Sequence, residues 1–357
     1  MSALSADTVR SVRTDIDSAI FLHIDQSLGR AMTMSGDYAR LLSAIRELMG
    51  SGGKRIRSRI VVLSYQMFGG DDVQSIVPVA AAHELLHLGM LIHDDIIDRD
   101  YVRYGVKNIA GSYDEVYAEA VTDPASRLHY AHSAALLAGD LMLSEAYQMR
   151  LSANISSTKI VEVQKIFGRG IFEVIGGELL DTEAAFLGVD GASPELIALH
   201  KTASYTFILP MLIGACLADA SADQKKGVIE FAKNLGIAFQ LRDDVLGVFG
   251  DEAETGKTNT GDIREGKRTH MIERFYQLAS DAEKLEFETL FGNEGISMDD
   301  ADRVRELLRE SGALDETEQA IAHYTHRARA ALGTLDIGSA FIEEVNELIV
   351  LATERKK

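Results

Sequence analysis

Proline is scarce in this chain, with four in 357 residues, and tryptophan is missing altogether. So few breakers, set among abundant Ala, Leu and Glu, exclude a loop-rich fold and predict long helices. Sustained period-2 alternation is also lacking, which argues against a sheet. A single cysteine, Cys216, rules out an intrachain disulfide and predicts a reducing, cytoplasmic setting. Basic residues are outnumbered: 36 Lys and Arg against 55 Asp and Glu leave a formal net charge of −19. A chain this acidic is a poor partner for nucleic acid or anionic membranes, so its local basic clusters stand out. No run reaches transmembrane length, and residues 1 to 30 mix charge with apolar positions, so neither a signal peptide nor membrane insertion is expected. What the chain does have is 46% hydrophobic residues, ample for one large domain or two medium ones.

The densest chemistry lies in H-E-L-L-H-L-G-M-L-I-H-D-D-I-I-D-R-D-Y-V-R-Y-G, residues 83 to 105. On a helix Asp94 and Asp98 share a face one turn apart, while Asp95 points elsewhere. Like charges so close, at the negative pole of a helix, either form a solvated acidic end or await hard cations such as Mg²⁺, which takes oxygen ligands. A second pair, Asp243 and Asp244, closes the apolar run of F-Q-L-R-D-D-V-L-G-V-F-G-D, residues 239 to 251. Upstream, G-S-G-G-K-R-I-R-S-R (50 to 59) sets glycines ahead of a helix whose first turn carries Lys54, Arg55, Arg57 and Arg59. The dipole disfavours cations there, which points to a bound anion.

Other stretches read as structure. His83 and His87 have zinc-compatible spacing, but no third nitrogen or sulfur ligand is near. Asp71 and Asp72, after a glycine pair, offer an N-cap for the following helix, Ser193 before Pro194 offers another, and Ser297 with Asp300 reads as a capping box rather than an acidic site. Residues 106 to 127 read as a long loop. G-D-E-A-E-T-G-K-T (250 to 258) has the wrong spacing and context for a P-loop. In K-T-A-S-Y-T-F-I-L-P, hydroxyls beside Pro210 predict a local break in a helix.

Taken in order, G-G-K-R-I-R (52 to 57), D-D-I-I-D (94 to 98), L-A-G-D (137 to 140), K-T-A-S-Y-T (201 to 206), F-Q-L-R-D-D (239 to 244) and G-D-I-R-E-G-K-R-T (261 to 269) resemble the motifs of the trans-isoprenyl diphosphate synthases. The likeness runs from about residue 50 to 270. It implies an all-α, single-domain bundle (1–357) of roughly a dozen helices around a deep central cavity, assembled as a homodimer. The implied reaction is Mg²⁺-dependent condensation of isopentenyl diphosphate with an allylic diphosphate, with three Mg²⁺ held by Asp94, Asp98, Asp243 and Asp244. The same resemblance gives Lys54, Arg57 and His87 to isopentenyl diphosphate, and Arg103, Lys201, Lys257 and Lys267 to the allylic diphosphate. Lys201, Thr202 and Gln240 fall at the reacting centre, and Arg55 and Arg59 are left as surface residues. Asp181 matches a position near the allylic site, with a structural role equally open.

Three positions depart from the family's usual pattern: Tyr104 replaces a second arginine, Glu178 a glutamine, and Gly247 a third aspartate, for which Asp251 could compensate. Below Asp94, the row Met90, Leu86 and Ala82, with Gly89 beside it, lacks the ring that short-chain members place there. A geranylgeranyl product is therefore expected, with a longer polyprenyl chain as the alternative. A terpene cyclase would have no use for Lys54 and Arg57. A non-catalytic subunit of a heteromeric synthase should have lost metal ligands.

Overall fold

The computed structural model describes residues 6–187, 191–250 and 260–354. They fall into two compact units, one ending at Glu162 and the other running from Val163. The first unit holds α1 (Ala6–Met34), α2 (Gly36–Gly50), α3 (Ile56–Met67), α4 (Val73–Ile97), a hairpin of β1 (Val102–Arg103) and β2 (Val106–Lys107), α5 (Ile109–Val116) and α6 (Pro124–Leu151). Helix α7 (Ser157–Leu187) passes from it into the second unit. There follow α8 (Pro194–Ile197), a π-helical segment (Ala198–Ile208), α9 (Leu209–Leu217) and α10 (Ala222–Phe249). The chain ends with α11 (Gly261–Glu265), α12 (His270–Leu278), α13 (Asp281–Leu290), α14 (Met298–Glu310), α15 (Ala313–Leu332) and α16 (Ser339–Thr353). The fold is all-α, as expected. More than a dozen helices result because short ones such as α8 and α11 escape a periodicity reading and a π segment divides one rod.

In the first unit α4 packs against α6, and small residues let the two backbones approach. Ala131, Ala134, Ala135, Ala138 and Gly139 of α6 are buried. A Cβ at Gly139 would lie 2.2 Å from His93 Nε2, and one at Gly89 would lie 3.1 Å from the Gly139 carbonyl. Asp72 caps α4 by accepting from Ser75 N at 3.3 Å. The expected loop after residue 106 instead contains α5. Its start is fixed by Asn108, whose side chain accepts from Gly111 N at 2.8 Å, while Gly111 admits the Tyr101 carbonyl 2.2 Å from where a Cβ would stand. Those contacts are not periodic, so pattern alone misses them.

In the second unit α10 packs against α15 and the π segment. A satellite core at α12–α15 is built on Phe275, Phe287 and Phe291, with ring centroids 4.3 and 4.7 Å apart in sequence order. Two helices, Val73–Ile97 and Pro194–Leu217, are long and apolar enough to cross a bilayer, which corrects the expectation that no run reaches that length. Their most apolar windows are 72% and 61% buried within the protein, as core helices are.

Candidate active site

The second unit presents a cleft of about 330 Å³ of empty space, lined among others by Asp181, Lys201, Thr202, Gln240, Asp244 and Lys267. Ser193 caps α8 by accepting from Leu196 N at 3.3 Å, with Pro194 in the first turn. The rod then takes the π register through K-T-A-S-Y-T and regains α geometry only at Leu209. The break read from Pro210 and the hydroxyls is therefore present, as an i→i+5 helix of the kind found at functional sites. Ser204 donates to the His200 carbonyl at 2.5 Å.

From this segment Thr202 donates to the Gln240 side-chain carbonyl, and the Gln240 amide donates to Asp244 Oδ1 at 2.8 Å. Lys201 donates to Asp181 Oδ2 at 2.6 Å and Glu178 Oε1 at 3.0 Å. Asp181 thus belongs to the cleft. Burial opposes ionisation of its carboxyl, but Lys201 and Lys267 prevail and hold it below the usual carboxylate value. For Asp244 burial wins. Its carboxyl is raised to about 7, with Lys267 and Gln240 resisting and Asp262 and Asp243 adding to the rise.

Asp262 was not singled out from the sequence. A Cβ at Gly247 would stand 2.0 Å from its Oδ2, so the space a third aspartate of the α10 motif would use is filled by an acid from α11. The signal was the G-D of the motif that supplies Lys267. Asp251, suggested as the compensating acid, and Lys257 lie outside the described residues. Arg268 and Thr269, also missed, line the same cleft.

The first unit presents its own cleft, of about 290 Å³, lined among others by Gly52, Gly53, Arg55, Glu84, His87 and Tyr104. Lys54 is exposed in the loop that precedes α3, and Arg57 is partly buried on α3. His87 is kept neutral, well below its ordinary value, by burial first and then by Arg57, Arg103 and Arg55. The Ser58 amide, in the first turn of α3, is taken by the buried Glu84 carboxylate at 2.9 Å. Arg55 is no free surface residue: it is bonded to Asp17, Met49 and Gly52. Tyr104 and Gly105, with φ of 54° and 77°, form the tight turn of the hairpin. The Tyr104 ring lies 3.0 Å from where a Gly52 Cβ would be, so it walls the cleft instead of supplying charge.

Asp94 and Asp98 are partly buried at the end of α4, on the expected row, above Met90 (partly buried) and Leu86 and Ala82 (buried). Asp95 is buried and accepts from Arg103 Nε at 2.6 Å, while Arg103 Nη2 lies 3.5 Å from Asp94 Oδ2. Asp95 Oδ2 is buried with no hydrogen-bond partner among the described residues. Burial raises this carboxyl to about 6, and the Arg103 hydrogen bond opposes the rise.

Residues 39–309 match the polyprenyl synthetase family. The chain belongs to that family. It is 34% identical to the geranylgeranyl diphosphate synthase of Sulfolobus acidocaldarius over 75% of its own length and 76% of the relative's. It is 33% identical to the geranylfarnesyl diphosphate synthase of Aeropyrum pernix over 94% and 99%. The structure of a geranylgeranyl pyrophosphate synthase from Corynebacterium glutamicum, in complex with isoprenyl diphosphate and magnesium, superposes with a TM-score of 0.87 at 29% identity, covering 97% of this chain and 98% of that one.

As a polyprenyl synthetase the chain is a prenyltransferase, and a divalent metal is the group its family implies. Among the described residues no three His, Cys, Asp or Glu side chains converge as a ready metal cage. The donors nevertheless fit a hard cation by type, being carboxylates alone. Asp95 keeps one buried oxygen beyond the reach of its Arg103 partner, and the Gly247 cradle sets Asp262 beside the α10 carboxylates, a like-charge grouping that a cation would relieve.

Proposed function

We propose that this polyprenyl synthetase condenses isopentenyl diphosphate with an allylic diphosphate to give geranylgeranyl diphosphate. The observation that carries the reading is the Lys201 cleft, where two lysines face a hydroxyl, an amide and carboxylates beneath a π-helical turn. Lys201, Lys267 and Arg103 bind and orient the allylic diphosphate. Lys54, Arg57 and neutral His87 hold isopentenyl diphosphate, with Tyr104 closing the wall of its cleft. The allylic C–O bond breaks, the isopentenyl double bond attacks the carbocation, and the proton lost from the adduct passes to the departing diphosphate. The Thr202 hydroxyl and the Gln240 carbonyl orient their dipoles beside that cation, and the buried Leu86 and Ala82 offer an apolar row to the growing tail. Magnesium, three ions held through Asp94, Asp98, Asp243 and Asp244, would offset the charge of the leaving diphosphate.

The geranylfarnesyl relative, which matches nearly the whole chain, supports a product one isoprene unit longer as the second reading. Phe172, Ile175 and Leu179 make an exposed apolar stripe at helical spacing on α7, which supports a homodimer formed through that face. The single cysteine, which is buried, supports a cytoplasmic location. Asp243→Ala should keep the fold and lower turnover by about a thousandfold or more, as losing a charge-stabilising group at a leaving group does. Near-normal turnover in that variant would sink the mechanism.

A further inference from the structure

The loop that opens α3 is held from behind by contacts the reaction does not use. Arg55 has a left-handed backbone, φ 51°, uncommon for a residue with a Cβ. Its guanidinium donates to Asp17 Oδ1 of α1 at 2.8 Å, to the Gly52 carbonyl at 3.1 Å and to the Met49 carbonyl at 2.9 Å. A planar fork can hold several acceptors in fixed directions, which an ammonium cannot. Asp17 is approached in turn by Arg13 at 3.7 Å, and Arg13 also donates to the Gly53 carbonyl at 3.4 Å. Gly53 leaves the room required: its φ is +107°, and a Cβ there would stand 2.7 Å from Arg55 Nη1. Two of these bonds, Arg55 to Asp17 and Arg13 to the Gly53 carbonyl, fasten α1 to the turn at 52–55, while the other two tie Arg55 to the end of α2 and to the turn itself.

We infer that Arg55 is a positioning residue for isopentenyl diphosphate, with Asp17 as the counter-charge that fixes it. The pair sets the shape of the turn, and through it the direction in which Lys54 and Arg57 present their charges. This rests on the proposed function, in which those two residues bind the nucleophilic substrate.

The sign of one substitution separates this role from simple electrostatics. Asp17→Asn removes a negative charge, so if only net charge mattered it would tighten the binding of a diphosphate. The clamp requires the opposite. Steady-state kinetics with each substrate varied, on Asp17→Asn, Arg55→Lys and the double variant, should show the KM for isopentenyl diphosphate rising about tenfold in each single variant, with kcat and the allylic KM within about twofold. The double variant should be no worse than Arg55→Lys, because both changes dismantle one assembly. Arg55→Lys keeps the charge, so a normal KM in it would mean that Arg55 acts as a point charge and would overturn the clamp. An unchanged or lowered KM in Asp17→Asn would overturn it equally, and this milder change decides the matter if Arg55→Lys does not fold. A wild-type chain that fails to use isopentenyl diphosphate would instead sink the proposed function, and the clamp with it.

Discussion

Glu178 is the departure from the family pattern whose consequence can be worked most fully. Lys201 carries one charge and faces two carboxylates, Asp181 at 2.6 Å and Glu178 at 3.0 Å. A diphosphate oxygen that takes another donor of the same ammonium comes within about 5 Å of the Glu178 carboxylate. Two like charges at that distance repel by about 3 kcal/mol at a protein-surface dielectric and about 0.8 kcal/mol in bulk water. Both side chains are only about a fifth exposed, Lys201 at 20% and Glu178 at 22%, so solvent screens them in part and about 1 kcal/mol is a lower-end value. Taking about 1 kcal/mol, Glu178→Gln should lower the allylic KM about fivefold, since 1.36 kcal/mol is a factor of ten. The amide still accepts from Lys201, so the fold should hold. The assay is initial velocity with the allylic diphosphate varied at saturating isopentenyl diphosphate, repeated at high salt, where the gain should shrink. An unchanged or raised allylic KM would refute the view that Glu178 competes with substrate for Lys201.

Restoring the family's third aspartate by Gly247→Asp should damage the protein, because the new Cβ meets Asp262 at 2.0 Å and adds a like charge; a lowered Tm and weaker Mn²⁺ binding by calorimetry are expected, and improved binding would contradict that account. Met90→Phe should shorten the product, whereas Gly89→Phe should destabilise the α4–α6 contact, since Gly89 faces the Gly139 carbonyl; a shortened product from a fully stable Gly89→Phe would reverse the assignment. His83 is buried and its pKa is lowered from 6.5 to about 4, mainly by burial. It stays neutral in the folded chain while the unfolded chain takes up a proton, so stability is complete above pH 6.5 and falls by up to about 3 kcal/mol as pH drops toward 4. Denaturant midpoints at pH 7.5 and 5 should differ less in His83→Leu than in the parent, and an equal difference would clear His83.

Local chemistry was legible in the sequence wherever one residue and its near neighbours decide the structure. Ser193, Asp72 and Ser297 cap helices because a side-chain oxygen needs only the amide three residues on, as all three provide. Asp94 and Asp98 read as helix-end groups for the same reason, whereas Asp243 and Asp244, expected to close their helical run, lie inside α10, which continues to Phe249. Pro210 and the hydroxyls before it announced a break, but not that it would be π-helical, which depends on the register of a whole rod. Arg55 was misjudged because its partner, Asp17, is 38 residues away. Glu178 and Lys201 are 23 apart, and nothing in either segment reveals that they meet. Helix α5 was hidden by Gly, Ser and Asp, which are turn formers until Asn108 and the Tyr101 carbonyl give that glycine-containing helix its anchor.

The central claim is tested most directly by incubating the purified chain alone with isopentenyl diphosphate, farnesyl diphosphate and Mg²⁺ and sizing the products by mass spectrometry. Geranylgeranyl diphosphate as the main product, abolished by chelation and in Asp94→Ala, is the result expected. Intact farnesyl diphosphate with no elongation, from a chain shown to be folded, would contradict it.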